Sequence, residues 1–216
     1  MKILVLGAAG QISRYLTDLL LNETTDELVL YGRNMTTRLN QYAANDRVTL
    51  INGDFADEAA LTAAAKGVDA AYLNHMHLTS DVQNVVKALD ANHVTKLIGA
   101  NILGIYGEVP GKFGQWNLSM VGGQAGEDAM LASAEVMEDS DLADYTVLRL
   151  TWLFNQAGNE NYELIPKGQP FKNAQVSRQA VARGIATILH DASGQYSRQS
   201  FGIGEPDTYF DKPSFY

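Results

Sequence analysis

The chain opens on the stretch that decides its fold, Met1-Lys2-Ile3-Leu4-Val5-Leu6-Gly7-Ala8-Ala9-Gly10-Gln11-Ile12. Residues 3–6 form an apolar run typical of a buried strand, and apolar residues then recur at helical spacing from Ile12 to Leu20. Gly7 and Gly10 lie between the two patterns, where they permit a tight turn and close approach of the backbone to a pyrophosphate. Such a turn between a first strand and a first helix predicts a dinucleotide-binding site. The alternative is an ordinary strand-to-helix turn that contains two glycines.

The expected cofactor contacts at this turn come from the backbone and from the start of the helix. The unbonded N–H groups and the dipole of a helix N-terminus both favour a phosphate group. The residues that we expect to contact the cofactor here are Gly7, Ala9, Gly10, Gln11 and Ile12.

Outward from this turn, short apolar runs alternate with helical patterns. Further strands are predicted at residues 28–31, 48–51, 68–73, 96–100 and 145–150, and residues 104–126 are predicted to be a glycine-rich loop. This alternation predicts βαβ units and therefore a Rossmann-type α/β fold with a doubly wound parallel sheet. We expect one domain over residues 1–216. It consists of a nucleotide-binding core (1–150) and a small C-terminal substrate cap (151–216) that completes the sheet.

Composition limits the partners and the chemistry. Of the 216 residues, 46% are hydrophobic and 19% are charged, so the chain can bury a core. The net charge of −9 argues against nucleic acid as a partner, because phosphate binding needs clustered cations. No apolar run approaches the roughly 20 residues of a membrane span, and the N-terminal run is too short for a secretory signal. Because there is no cysteine, thiol-relay chemistry is excluded, and a cytoplasmic location is the simplest expectation.

The end of the second predicted strand indicates which dinucleotide binds. A carboxylate there would bond the ribose hydroxyls of NAD, but the sequence reads Tyr31-Gly32-Arg33-Asn34. An arginine pairs with a 2′-phosphate, so Arg33 favours NADP(H) over NAD(H), and a solvated surface arginine is the alternative. Asp54 follows the third strand, where it either accepts from the adenine amino group or serves as a turn residue. Asn34 and Phe55 are included among the expected cofactor contacts.

Several short motifs together resemble those of the atypical short-chain dehydrogenase/reductases, in particular the NmrA-like NAD(P)H-binding group. The resemblance covers nearly the whole chain. The sixth predicted strand is similar to the family's Asp-Tyr-Thr-Ile-Leu-Arg-Pro string. The matching pieces are Gly7-Ala8-Ala9-Gly10, Gly32-Arg33-Asn34, Gly53-Asp54, Gly104-Ile105-Tyr106-Gly107-Glu108, Asp144-Tyr145-Thr146-Val147-Leu148-Arg149 and Val176-Ser177-Arg178-Gln179-Ala180-Val181-Ala182.

The resemblance implies a Rossmann fold, NADP(H) binding and reduction of quinones, flavins or small carbonyl compounds. Some members of such families are redox-sensing regulators without turnover. The sequence departs from the classical enzymes at the proton relay, because no tyrosine is followed four residues later by lysine. The serine pair that often closes the fifth strand is replaced by Gly99-Ala100-Asn101, and Thr151 replaces the proline after the sixth strand.

Candidate reactive residues lie at the carboxyl ends of the fourth and fifth strands. Asn74 and His75 are expected to border the nicotinamide ribose. We assign catalytic roles to Asn101 and to Tyr106, whose hydroxyl would donate to an acceptor oxygen. The alternative for Tyr106 is a half-buried loop aromatic. No metal is expected, because His75 and His77 lack a third ligand at a recognisable spacing.

Aromatic residues are the candidates for substrate binding. The expected acceptor wall consists of Tyr106, Trp116, Trp152 and Phe154, and core packing is the alternative interpretation. Alanines on one helix, Ala88 and Ala91, would suit a homodimer contact or packing against the chain's own sheet. Two functions therefore remain open. One is an NADPH-dependent reductase of a small-molecule quinone, flavin or carbonyl acceptor, and the other is a non-catalytic NADP(H)-binding redox sensor.

Overall fold

A mostly parallel sheet of eight strands forms the centre of the protein in the computed structural model, which describes residues 1–216. The protein has ten strands, eight in this sheet and two in a separate one: β1 (Lys2–Leu6), β2 (Glu27–Gly32), β3 (Val48–Asn52), β4 (Ala70–Leu73), β5 (Lys96–Ile102), β6 (Asp144–Leu150), β7 (Trp152–Phe154), β8 (Glu163–Pro166), β9 (Gln175–Ser177) and β10 (Gln199–Gly204). The order across the main sheet is β3-β2-β1-β4-β5-β6-β10-β8, and only β8 runs antiparallel to its neighbour. Because the chain leaves β1 first to one side and then to the other, the sheet is doubly wound. The predicted Rossmann fold is confirmed.

Helices cover both faces of this sheet. They are α1 (Gln11–Glu23), α2 (Met35–Arg38), α3 (Glu58–Ala64), α4 (Thr79–Asp90), α5 (Gly111–Met120), α6 (Gly123–Glu138) and α7 (Arg178–Leu189), with a 3₁₀ turn at Asn40–Tyr42. Alternate residues of β1 enter two separate cores, Ile3 and Val5 on the face of α1 and α7, and Leu4 and Leu6 on the face of α3, α4 and α6. Burial on both faces explains why the strands are continuous apolar runs. None of the helices has the length and hydrophobicity required to cross a bilayer.

The residues after Leu150 contribute two strands to the main sheet. β10 pairs parallel with β6, and β8 pairs antiparallel with β10 at the sheet edge. β7 and β9 form a separate two-stranded parallel sheet. The sequence pattern predicts only the strand near residues 199–203, because β7, β8 and β9 are three or four residues long and show little alternation.

Residues 104–126 are not the loop that their glycines predict, since they contain all of α5 and the start of α6. Three of the glycines begin or connect these helices with positive φ, at Gly111 (68°), Gly122 (91°) and Gly123 (67°). Within α5, Phe113 and Asn117 lie four residues apart and are both buried. Packing of Phe113 with Leu103, Phe171 and Ala174 therefore outweighs the low helix propensity of glycine.

Candidate functional site

Two clefts lie at the carboxyl ends of the parallel strands. β1 is between β2 and β4, so the strand order reverses there, and ligands of doubly wound sheets bind at this position. The glycine-turn cleft, of about 520 Å³, lies over β1, β2 and β3 and is lined by residues that include Gly7, Gly10, Arg33, Arg38 and Asp54. The aromatic cleft, of about 540 Å³, lies over β4, β5 and β6 and is lined by residues that include Asn74, His75, Trp152, Arg178 and Tyr216.

The glycine turn adopts the geometry that its residues predict. Gly7 has a φ of +77°, and its N–H donates to the carbonyl of Tyr31 at 3.0 Å, which ties the turn to β2. Gly10 precedes α1 in an extended conformation, and no side chain caps that helix. A Cβ on Gly10 would overlap the carboxamide of Asn74. The turn therefore leaves the N-terminus of α1 without a side-chain partner at the edge of the cleft, and this fits a pyrophosphate group.

The two arginines after β2 also fit a phosphate. Arg33 and Arg38 line the glycine-turn cleft with exposed side chains, and neither forms an ion pair. Asn34 does not line this cleft. It has a left-handed φ of 58°, and its carbonyl accepts from the N–H of Arg38 at 2.9 Å. Asn34 thus occupies a turn position, which asparagine tolerates well, and its contact with the cofactor stays a prediction.

Asp54 and Phe55 line the far end of the glycine-turn cleft. The carboxylate of Asp54 accepts from the N–H of Ala56 at 3.1 Å, so it holds a turn and borders the cleft at once. Tyr31, which the sequence patterns did not single out, donates its hydroxyl to the Asp54 carbonyl at 2.8 Å. Burial raises the pKa of Tyr31 to about 12, so its hydroxyl stays protonated. Burial and the neighbouring Asp54 also raise the pKa of Asp81 above its ordinary value.

Asn74 and His75 follow β4, and both line the aromatic cleft together with Gln11 and Ile12. Because Asn74 packs on Gly7 and Gly10, it lies where the two clefts meet. The Asn74 carboxamide oxygen accepts from the hydroxyl of Tyr72 at 3.1 Å. The ring of His75 stacks on His77, with 5.2 Å between centroids. Burial, and to a smaller extent the neighbouring His77, lower the pKa of His75. No third metal-ligating side chain joins the pair.

Asn101 lines the aromatic cleft, but its amide is already bonded within the protein. It is 2% exposed, its Nδ2 donates to the Met130 carbonyl at 2.9 Å, and its Oδ1 accepts from the N–H of Ile102 at 2.7 Å. These bonds hold α6 against β5. The catalytic role of Asn101 stays a prediction, and its side-chain amide is used in bonds within the protein.

Tyr106 is not brought to the aromatic cleft. Its hydroxyl donates to Oε1 of Glu138 at 2.6 Å, and the Nζ of Lys167 lies 3.9 Å from its ring centroid. Burial and the bond to Glu138 raise the pKa of Tyr106. This corrects both expected roles of Tyr106, in catalysis and in acceptor binding, because its hydroxyl and its ring are used in contacts away from the cleft.

Of the predicted aromatic wall, only Trp152 lines the aromatic cleft directly. Trp116 packs against it, with 4.7 Å between ring centroids, and Phe154 packs against Phe215 at 6.0 Å. The Nε1 of Trp152 donates to Oδ1 of Asn117 at 3.0 Å, which fixes the orientation of the indole.

Further aromatic residues of the cleft come from the end of the chain. The Tyr216 ring lies 5.1 Å from Trp116 and 5.2 Å from Trp152, and Phe215 lines the cleft beside it. Ser214 anchors this segment through two hydrogen bonds to the carboxamide oxygen of Gln175. The sequence analysis missed Phe215 and Tyr216, although the aromatic residues concentrated at Tyr209, Phe210, Phe215 and Tyr216 were a usable signal.

A comparison of the sequence with models of protein families identifies the family, and the match covers most of the chain. Residues 7–192 match the model of a family described as NAD(P)H-binding. The chain belongs to this NAD(P)H-binding family. The match starts at the first glycine of the turn, and it includes the residues of both clefts except Phe215 and Tyr216. The predicted nicotinamide dinucleotide cofactor and the predicted family are therefore confirmed. No curated protein matched the sequence significantly.

Solved structures extend the likeness to the whole chain. A short-chain dehydrogenase/reductase from Veillonella parvula DSM 2008, in complex with NADP, is 39% identical, with a TM-score of 0.94 and 99% of each chain covered. A Rossmann-fold NAD(P)-binding family protein from Shigella flexneri is 30% identical, with a TM-score of 0.78 over 100% of this chain and 98% of that chain. ChuY, an anaerobillin reductase from Escherichia coli O157:H7, is 19% identical, with a TM-score of 0.78 over 96% of this chain and 98% of that chain, and it shares the fold.

Proposed function

We propose that the protein is an NADPH-dependent reductase that acts on a flat, conjugated acceptor such as a quinone or a flavin. The observation that carries this proposal is the pair of clefts that meet at Asn74, one lined by phosphate-binding features and the other by aromatic side chains. A dinucleotide that extends from one cleft towards the other would direct its nicotinamide to the aromatic side. The acceptor would stack on Trp152 and Tyr216.

NADP(H) is the cofactor that we propose, with NAD(H) as the weaker ligand. Arg33 and Arg38 are unpaired cations in the cleft that would hold the adenosine half, where a 2′-phosphate gains charge-assisted hydrogen bonds. The 39% identical relative was solved with NADP, which supports the same choice. Gly7, Gly10 and the first turn of α1 would hold the pyrophosphate, and Asn74 and His75 would border the nicotinamide ribose.

The side chains of the aromatic cleft orient the acceptor and exclude water from it. NADPH supplies a hydride when it is bound, and its chemistry needs little more than correct placement of a reactive acceptor. Asn117 holds the indole of Trp152 in one orientation, and Asn101 holds α6 against the floor of the cleft. Since the chain has no Tyr-x-x-x-Lys pair, we assign no alcohol–ketone proton relay to it.

Steady-state NADPH oxidation tests the proposal. We expect turnover with menadione, a flavin or dichlorophenolindophenol, and a lower KM for NADPH than for NADH. Tight NADPH binding with no turnover on a broad acceptor panel would instead support the second candidate, a non-catalytic NADP(H)-binding redox sensor. The absent Tyr-x-x-x-Lys pair is the observation that favours this sensor. A cytoplasmic location and a homodimer stay predictions.

A further inference from the structure

The aromatic cleft contains one cation that has no carboxylate partner. Arg178 begins α7, is half-buried and lines the cleft together with Trp152, Leu153 and Phe215. Its polar side-chain contact is with the amide oxygen of Asn155, which accepts from Nη1 at 3.2 Å. No aspartate or glutamate lies within ion-pair distance of this guanidinium.

Other arginines in the same part of the fold are neutralised. Arg149 is fully buried and pairs with Glu108, and Arg183, on the same helix as Arg178, pairs with Glu23 and Glu160. Desolvation lowers the pKa of Arg178, which shows that its surroundings disfavour an unpaired positive charge. An anion in the cleft would therefore gain a charge-assisted hydrogen bond, and Arg178 would gain its missing counterion.

The surroundings of Arg178 point to the acceptor rather than to the cofactor. Gly7, Gly10, Arg33 and Arg38 line the other cleft, and of the expected phosphate-binding residues only Gln11 and Ile12, at the start of α1, share the cleft of Arg178. Arg178 shares its cleft with aromatic and aliphatic side chains, which suit the rings of an organic acceptor. Asn155, which accepts from Arg178, also connects it to the residue after the glycine turn, because Nδ2 of Asn155 donates to Oε1 of Gln11 at 3.3 Å. A test of Arg178 must therefore distinguish binding of the acceptor from binding of the cofactor.

We propose that the aromatic cleft recognises a planar acceptor that bears an acidic group, with the rings against Trp152 and Tyr216 and the anionic group on Arg178. The inference rests on the proposed function, because it assumes that the aromatic cleft is the acceptor site. It narrows the acceptor class from any flat conjugated molecule to an anionic one.

Intrinsic fluorescence provides a direct test, because both tryptophans of the chain, Trp116 and Trp152, belong to the aromatic cluster. With the protein saturated with NADP⁺, anthraquinone-2-carboxylate and its methyl ester are titrated separately, and quenching is followed. We expect the acid to bind about tenfold more tightly than the ester, the effect of one hydrogen bond between charged groups. Equal affinity for acid and ester, or no quenching by either, would overturn the inference.

Variants on α7 assign the effect to Arg178. We expect R178Q to abolish the preference for the acid and R178K to keep part of it. R183Q is the matched control. It removes an arginine from the same helix outside the cleft, and the preference for the acid should survive. NADPH affinity, measured by cofactor fluorescence, should change less than about twofold in R178Q. If R178Q weakens NADPH tenfold and affects acid and ester equally, Arg178 serves the cofactor and the inference is wrong.

The proposed function and this inference fail in different ways. The fluorescence titration needs no turnover, so selective binding of the acid would stand even if NADPH oxidation were absent. Conversely, reduction of menadione together with equal binding of acid and ester would support the proposed reductase activity and contradict the proposed preference for an anionic acceptor. Thermal unfolding of R178Q, R178K and R183Q checks that each variant is folded.

Discussion

The two clefts are nearly equal in volume, about 520 and 540 Å³, but they are assembled in different ways. Much of the glycine-turn cleft comes from residues that directly follow three adjacent strands, β1, β2 and β3. The aromatic cleft collects side chains from the ends of β4 and β5, from α5, β7 and α7, and from Phe215 and Tyr216. One cleft thus depends on backbone turns with a local sequence signal, and the other depends on segments far apart in the chain.

Their chemistry follows from this difference. Local turns present backbone N–H groups and short polar side chains, which suit a dinucleotide that is common to a whole family. Segments brought together by packing present large side chains, which form a shape specific to one acceptor class. We therefore expect substitutions in the two clefts to separate cofactor binding from acceptor binding.

The largest effect is expected on the free energy of unfolding, at the buried ion pair of Glu108 and Arg149. Glu108 accepts from the N–H groups of Gly104 and Tyr106 and pairs with Arg149, which is fully buried. Glu108→Gln leaves that charge uncompensated, so the free energy of unfolding should fall by about 3–5 kcal/mol in chemical denaturation. Glu23→Gln, which breaks an ion pair at the surface, should lower the free energy of unfolding far less. Equal losses for the two variants would contradict this account.

Charge reversal in the glycine-turn cleft should come next. Arg33→Glu places a carboxylate where we propose the 2′-phosphate, so NADPH affinity should fall about a hundredfold while NADH affinity changes little. Isothermal titration with each cofactor measures both values. Lys66→Glu, which reverses an exposed charge outside both clefts, is the control and should leave both affinities unchanged. Equal losses for NADPH and NADH would mean that Arg33 does not recognise the phosphate.

A substitution in the aromatic cleft should produce the complementary result. Trp152→Ala removes the indole of the proposed acceptor wall, and about 2 kcal/mol of lost aromatic contact corresponds to about a thirtyfold fall in kcat/KM for menadione. NADPH affinity should stay within about twofold. Trp152→Phe keeps an aromatic ring and should retain most of the activity. A parallel loss of NADPH affinity in Trp152→Ala would show that the two clefts are not separable.

The smallest effect is expected at the end of the chain. Tyr216 packs on Trp116 and Trp152 but is 52% exposed, so an acceptor stacked on it stays partly in contact with water and gains less from the contact. Tyr216→Ala should raise the KM for menadione about threefold with kcat unchanged. Tyr209→Ala is the matched control, because this exposed tyrosine lines neither cleft. A rise in KM of the same size in Tyr209→Ala would remove Tyr216 from the acceptor site.

Prediction from the sequence is most accurate where the signal is local. It placed Gly7, Gly10, Arg33 and Asp54 together, since each follows a strand whose apolar run is easy to recognise. It misassigned Tyr106, which follows β5 as expected but turns its hydroxyl to Glu138, a residue 32 positions further along. Nothing in the local pattern around Tyr106 distinguishes a side chain that faces the cleft from one that faces α6.

Periodicity and glycine spacing alone determined the doubly wound sheet, the dinucleotide turn and the position of Arg33 after the second strand. These features depend on residues a few positions apart, whose backbone preferences act within one strand–turn–helix unit. Only the tertiary structure decided that Trp152, Arg178 and Tyr216 line one cleft and that the side-chain amide of Asn101 donates a hydrogen bond to α6. Contacts of this kind join segments separated by tens of residues, and they are selected by packing and burial, which local sequence patterns do not specify.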